Sequence, residues 1–246
     1  RKPFFGVLYE CKRPPLGQQD EEGWIPLLTK DEIERAFISQ WQGFGVNKLG
    51  ADVAGGGKNF SVIVQRTTNA ARILLKNQEP DTMGFVERVL THQIAVNVPQ
   101  LNVAVDKVGI GRGVCDILAR QWGYWDGVNA GDKLEGNDED VYFNLRAKMF
   151  WKVREWILFG GKLLITSDQD KEDWLQLKDI KYRQKLEGMR GKIQIMPKEK
   201  MLAEGIQSPD VADSLSLTFA KDDDIISEQG LDNMIRNAEI KSVSPY

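Results

Sequence analysis

At 246 residues, with 41% apolar side chains, the chain is long enough for one large domain with a buried core, and a net charge of −3 does not advertise a nucleic-acid surface. The single histidine excludes histidine-rich zinc and nuclease motifs, and two cysteines, Cys11 and Cys115, without CxxC spacing exclude a zinc ribbon or disulfide framework and fit a reducing compartment. No apolar run reaches the roughly 18 residues of a membrane span, and the opening Arg1-Lys2-Pro3-Phe4-Phe5, with no Met, predicts a start inside a longer polypeptide.

Residues 1–44 read as a connector, with Pro14-Pro15, a polar run from Gly17 to Gly23, and a short helix capped by Thr29 or Asp31 and running through Ile38. Strand-like runs follow at Lys48 to Val53, Phe60 to Arg66 and Ala71 to Asn77, separated by turns short enough for an antiparallel meander. Helix Asp81 to Ala95, strand Leu101 to Val105, helix Gly113 to Trp122 and a short strand Trp125 to Asn129 then predict a βαβ unit with parallel pairing, so the sheet is mixed. His92 falls inside the first of these helices, away from any glycine-rich turn, and is assigned a structural role.

The spacing of Leu145, Met149, Val153 and Ile157 predicts one long amphipathic helix from Asp140 to Phe159, with Phe150, Trp151 and Trp156 in the core or at its rim. Ile180 to Leu186 and Lys192 to Met196, on either side of Glu187 to Gly191, read as a hairpin. A helix from Pro209 to Ala220 closes the core, giving a main domain over 45–220. The tail, 221–246, opens on Asp222-Asp223-Asp224 and is at most a loose helix.

Four aspartates carry the chemistry. Asp52 and Asp106 end predicted strands where the chain turns into Gly55-Gly56-Gly57 and Gly109-Ile110-Gly111-Arg112-Gly113, so both carboxylates reach an open site. Asp210 and Asp213 open the closing helix, three residues apart and on one side of its first turn. Carboxylates gathered in one cleft repel each other unless a cation or a proton relieves them, and hard oxygen ligands suit Mg²⁺ or Mn²⁺. Asp52, Asp106 and Asp213 are therefore the catalytic candidates, and all four are metal-ligand candidates, in a two-metal hydrolysis of a phosphodiester that needs no histidine base. Asp52 is expected to bridge the ions, Asp106 and Asp213 to hold one each, and Asp210 to stand behind them or to be only an acid favoured at a helix N-terminus.

Charge is uneven: Lys171 to Lys200 holds nine Lys/Arg against five Asp/Glu. Its Lys181, Arg183, Lys185, Arg190 and Lys192, with Lys58, Lys107 and Arg112 beside the aspartates, are the candidate DNA contacts, a solvated face being the alternative. Gly55-Gly56-Gly57-Lys58 fails as a P-loop, because Asp52 stands where the first glycine belongs and Asn59 where Ser or Thr must meet Mg²⁺. Gly109-Ile110-Gly111-Arg112-Gly113 is GxGxG rather than the dinucleotide GxGxxG, and an adjacent Asp106 would repel a pyrophosphate.

The order of acids and strands is that of the ribonuclease H-like fold. The stretches Gly50 to Gly57, Val105 to Leu118, Lys198 to Met201 and Ser208 to Leu217 together resemble the nuclease domain of the large terminase subunit of tailed bacteriophages, over most of the chain from Arg1 to Ala220. Phe4-Phe5-Gly6 and Ile33-Glu34-Arg35-Ala36 resemble the region joining that family's packaging ATPase to its nuclease, so the connector would lead from a missing ATPase domain. The resemblance implies an α/β fold of the RuvC and integrase type, a mixed central sheet flanked by helices with an added basic β-hairpin. It further implies endonucleolytic cutting of concatemeric double-stranded viral DNA, two Mg²⁺ or Mn²⁺ ions, and work in the host-cell cytoplasm without a membrane. Portal protein and small terminase subunit would be partners, with a homo-oligomeric motor formed through the ATPase domain. The family often has an acid just after its first glycine-rich turn; Lys58-Asn59 stands there instead, and Lys58 is read as a phosphate contact. A catalytically silent DNA-binding module anchoring the motor, or another ribonuclease H-like nuclease such as a resolvase, is the alternative.

Overall fold

The strand pattern builds one six-stranded mixed sheet, with a three-stranded sheet beside it. In a computed structural model the described residues are 19–78, 81–122, 127–187 and 190–221. Thr29 caps the first helix through a reciprocal capping box with Glu32, and the chain runs from strand β1 (Ile25–Pro26) through that helix, α1 (Lys30–Glu34), to strand β2 (Phe37–Ile38). The predicted helix through Ile38 therefore stops early: Leu163 and Ile165 donate their N–H groups to Ala36 and Ile38, drawing this segment into the sheet as an edge strand.

The meander follows as β3 (Lys48–Asp52), β4 (Ser61–Arg66) and β5 (Ala70–Asn77), all antiparallel. Helix α2 (Thr82–Ala95) starts at Asp81, whose side chain accepts from Gly84 N–H. A 3₁₀ turn occupies Gln100–Asn102, leaving β6 (Val103–Val105) two residues shorter at its start than the sequence predicts. β6 lies parallel to β3, and helix α3 (Gly111–Trp122) leads away from it. α3 begins two residues before its predicted start because Gly111 brings the helix against the end of β6: a Cβ there would stand 1.8 Å from the Asp106 carbonyl oxygen. Of the predicted strand at Trp125 to Asn129, Val128 forms a single parallel bridge with Asp106, and 125–126 lie outside the described residues.

The long helix predicted from Asp140 to Phe159 is two helices, α4 (Asn137–Val141) and α5 (Leu145–Leu158). Between them Tyr142 bridges Ile193, Phe143 donates its N–H to the Ile193 carbonyl, and the Asn144 side chain caps α5, so the break is imposed from the neighbouring strand. Elements absent from the sequence reading include β1, β7 (Lys162–Leu164), parallel to β2 and β5, α6 (Asp168–Leu175), capped by Ser167, and the helix Lys198–Ala203. The predicted hairpin forms as β8 (Lys181–Glu187) and β9 (Arg190–Ile195), paired from Tyr182↔Ile195 to Glu187↔Arg190, and β1 pairs with β8. Helices α7 (Lys198–Ala203) and α8 (Asp210–Leu217) complete the described chain; Cys11 and the acidic tail lie outside it.

Sheet order is β2-β7-β5-β4-β3-β6. Alternation along the strands sends Leu49, Ala51 and Ile63 to a core with α2 and α3, and Val62, Val64 and Ala71 to a larger core with α5, α8 and the hairpin. Trp24, Ile25, Leu27, Leu28 and Ile33 are buried in that larger core, so residues 24–33 share the main hydrophobic interior. Among the described residues no helix is long and apolar enough to cross a membrane.

All eight residues of α8 are buried. The helix lies directly on β3 because Gly50 has no side chain: a Cβ there would stand 1.9 Å from the Ser214 carbonyl oxygen. Ser214 Oγ donates to the Gly50 carbonyl at 2.9 Å and also approaches that of Val62 at 3.3 Å. Arg66 clamps the C-terminal end, with Nη2 donating to the Thr218 carbonyl at 2.8 Å and the guanidinium 3.7 Å above the Phe219 ring. Gly50→Ala is therefore expected to destabilise the fold by about 1–3 kcal/mol or more, since a rigid backbone must retreat. Ser214→Ala should cost roughly 1 kcal/mol. Urea unfolding of both variants checks the order.

Candidate active site

Lys48, Gly50 and Asp52 share the face of β3 on which α8 lies, so that helix sits over the end of the strand where Asp52 stands. The parallel register Gly50↔Ala104 and Ala51↔Val105, continued by one residue, sets Asp106 opposite Asp52, and Asp106 N–H donates to the Ala51 carbonyl at 3.1 Å. One Asp106 oxygen, Oδ1, accepts from Val108 N–H at 2.9 Å, which orients the carboxylate across the turn. Pro209 precedes α8, and the first turn presents Asp210 and Asp213. Asp210 Oδ2 accepts from Phe60 N–H at 2.7 Å, so it is tied to the start of β4.

The four acids feel one another. Burial pushes the Asp52 carboxyl well above the ordinary carboxylate range; Lys198 works against this, and Asp213, Asp106 and Asp210 add to it. Asp106 and Asp210 are raised as well, in each case chiefly by burial, and each is partly offset by its backbone hydrogen bond. Lys198 is the counter-charge. Its Nζ is 2.8 Å from Asp213 Oδ2, and Asp213 above all, then Asp52, raises its pKa against the effect of burial. The separation is that of a charge-assisted contact between ammonium and carboxylate. A second cation, Arg146, places Nη2 3.7 Å from Asp213 Oδ1. Burial lowers its pKa, which Asp213 and Glu199 oppose.

Sequence reasoning missed both cations. A signal for Lys198 existed: it is the first residue of α7, where the helix dipole disfavours a positive charge, so a lysine there asks for an acid in front of it. Arg146 left no such signal.

Of the predicted DNA contacts, Lys58 and Arg112 are exposed and Lys107 is half-buried. Lys58 lines a groove with Asn59, Phe60 and Asp210, while Lys107 and Arg112 line a smaller hollow with Val108 and Asn129. On the hairpin, Lys181 is paired with Asp20 and Glu204 at 3.4 and 3.1 Å, and Arg183 stacks 4.2 Å from the Trp24 ring and donates to Gln194. These two bind the hairpin to the body. Lys192 is half-buried, and the side chains of Lys185 and Arg190 lie outside the described residues. The Gly55 to Gly57 turn joins two antiparallel strands rather than a strand and a helix. His92 is half-buried in the last turn of α2, its pKa lowered by burial and by Arg72.

No protein-family model matches the chain, and no curated protein matches it in sequence. Solved structures do. The nuclease domain of the large terminase subunit of bacterial virus Sf6 aligns with a TM-score of 0.66 at 16% identity, over 79% of this chain and 98% of that one. A lysine-to-alanine variant of the same domain, solved with manganese and beta-thujaplicinol, aligns equally well, with a TM-score of 0.66 at 16% identity over 79% of this chain and 98% of that one. The large terminase nuclease of thermophilic phage G20c, with bound magnesium, aligns with a TM-score of 0.50 at 12% identity, over 78% of this chain and 97% of that one. The chain has the ribonuclease H-like fold of the phage large-terminase nuclease domains.

Proposed function

We propose that the chain is a metal-dependent DNA endonuclease that cuts concatemeric viral DNA during genome packaging. The observation that carries the reading is the convergence of Asp52, Asp106, Asp210 and Asp213, from two parallel strands and a buried helix, in a fold shared with terminase nuclease domains crystallised with manganese and with magnesium. Oxygen-only donors fit hard divalent ions, and the raised pKa values of Asp52, Asp106 and Asp210 mark negative charge short of compensation. Two such ions, when bound, supply an activated water and stabilise the leaving oxygen of the phosphodiester.

The chain's own residues do the rest. Asp52, Asp106 and Asp213 offer carboxylate oxygens at the end of the sheet, and Asp210, tied to Phe60 N–H, supports them from behind. Lys58, Lys107 and Arg112, on the walls of the adjoining hollows, meet backbone phosphates of the double-stranded DNA. In the complete packaging machine an ATPase domain, a portal protein and a small terminase subunit complete the assembly, in the host-cell cytoplasm.

A second reading is a silent DNA-binding module that anchors the motor. It draws on one observation: among the described residues no three His, Cys, Asp or Glu side chains stand ready-made to hold an ion. The position of Lys198 accounts for this in the nuclease reading, because its ammonium neutralises the acids from within the cluster.

Cleavage separates the two readings. The chain is expected to nick or linearise plasmid DNA in Mg²⁺ or Mn²⁺ and to be silent in EDTA. Asp52→Asn, Asp106→Asn and Asp213→Asn should each lower the rate by about 100-fold or more, as expected when ions that stabilise transition-state charge lose a ligand, and Asp210→Asn by less. Cleavage in chelator, or near wild-type rates in the three variants, overturns the nuclease reading. Charge reversal at Lys58, Lys107 or Arg112 should flatten the salt dependence of DNA binding by about one unit of slope per contact.

The metal-free protein carries a pH signature. A carboxyl whose pKa is raised in the folded state stabilises that state fully below its unfolded pKa and loses this as pH rises through the folded value. Burial raises Asp52 well above the ordinary range, so stability in EDTA should fall as pH climbs from the ordinary carboxylate pKa through the raised one. Asp52→Asn should reduce the fall, leaving the part that the raised Asp106 and Asp210 contribute, and melt higher at neutral pH, by about 2–4 °C per kcal/mol of strain relieved. Thermal melts across pH 4 to 8 in EDTA measure it.

A further inference from the structure

Arg146 lies in the first turn of α5, beside the acids but outside the set assigned to metal or DNA. Its side chain is only 12% exposed. Nη1 donates to the Met196 carbonyl at 2.7 Å. Nε and Nη2 are buried without a hydrogen-bond partner, and Nη2 stops 3.7 Å short of Asp213 Oδ1. Two buried donors without acceptors are costly, and such groups in a folded protein call for a reason. The acceptor within reach is Asp213, whose other oxygen, Oδ2, is also buried, with only the Lys198 ion pair beside it.

The arginine does not move freely. Its N–H donates to the Ala130 carbonyl at 2.8 Å, Phe143 N–H pins the entry of α5 to Ile193 at 2.9 Å, and the guanidinium lies 5.0 Å from the Phe150 ring. Met196, which it holds, runs through Pro197 into Lys198. One guanidinium thus touches the peptide leading to the lysine and faces the acid with which that lysine pairs. Around it is a cavity of about 280 Å³ lined by Asn144, Gln194, Lys198 and Asp213. Because Nε and Nη2 are shut away from solvent, DNA does not reach them; a small shift of the Asp213 carboxylate does.

We propose that Arg146 is a positioning residue of the nuclease site: it takes Asp213 Oδ1 as a fixed hydrogen-bond partner while Met196 anchors its other arm, so that the Asp213 carboxylate is held in the orientation in which it would serve a divalent cation. The proposal rests on the nuclease reading. Groups that orient a metal ligand from behind typically change metal affinity by about 10–100-fold when removed. Removal of Arg146 should therefore act on the metal and not on the DNA.

The test uses the full chain as wild type, Arg146→Gln and Arg146→Lys, with manganese chloride as probe. Mn²⁺ is titrated against melting temperature and against single-turnover plasmid cleavage, and DNA affinity is measured in EDTA. For Arg146→Gln the Mn²⁺ midpoint of both titrations should rise about 10–100-fold, with DNA affinity in EDTA unchanged, and Arg146→Lys should recover part of the loss. A folded Arg146→Gln with the wild-type Mn²⁺ midpoint overturns the proposal. So does a fall in DNA affinity at an unchanged midpoint, which would make Arg146 a phosphate contact. Should Arg146→Gln not fold, Arg146→Lys decides: a raised midpoint supports the role and a wild-type midpoint overturns it. A wild-type chain with no response to Mn²⁺ in either titration fails the nuclease reading itself, and the proposal with it, a result distinct from any difference among the variants.

Discussion

The site depends on how closely helix α8 can approach strand β3. Three elements must bring four acids to one point, and the tightest tolerance falls at Gly50, where the helix backbone occupies the space of a side chain. Ser214 closes the contact by donating to the Gly50 carbonyl, with that of Val62 on the next strand sharing the same proton more distantly, and Arg66 fixes the far end of the helix at Thr218. Because α8 is buried along its whole length, its position follows from core packing on β3 and β4, with Val211, Ala212 and Leu215 fully buried. Asp210 and Asp213 are then carried to their places without any attraction to Asp52; electrostatics alone would drive them apart.

That repulsion is what the surrounding cations manage. Lys198 and Arg146 approach different oxygens of Asp213, one from the start of α7 and one from the start of α5. Asp106 and Asp210 use backbone N–H donors, which stabilise a carboxylate without adding a mobile charge. Asp52, the most strongly perturbed, has the least local support and depends on Lys198 for favourable charge. A cluster poised in this way has a standing affinity for positive charge, which is the physical content of the metal reading.

The same packing explains why the hairpin is built as it is. Its base is held to the body through Lys181, Arg183 and the β1 pairing, and its second strand ends at Ile195 and leads into Met196, whose carbonyl accepts from the guanidinium of Arg146. The positive surplus seen between Lys171 and Lys200 therefore has two uses: some of its charges fasten the hairpin, and Lys198 enters the acid cluster.

Periodicity and turn chemistry were sufficient to read the meander, α2, β6, α3, the hairpin and α8, because each of these elements carries its own apolar pattern and its own stops, such as Asp81 and Pro209. The four aspartates stand out as candidates for the same reason: a carboxylate at a strand end before glycines, or at the start of a helix, is a local feature. Strands of two or three residues such as β2 and β7 have no period to read, and they exist because distant partners hydrogen-bond to them. The break at Tyr142 to Asn144 interrupts an unbroken helical pattern because Ile193, some fifty residues on, captures that backbone. Lys198 and Arg146 acquire their roles only where α5, α7 and α8 meet. Residue type and local pattern determined what chemistry the chain carries, and long-range packing decided which charges share the site, since charges interact through space rather than along the chain.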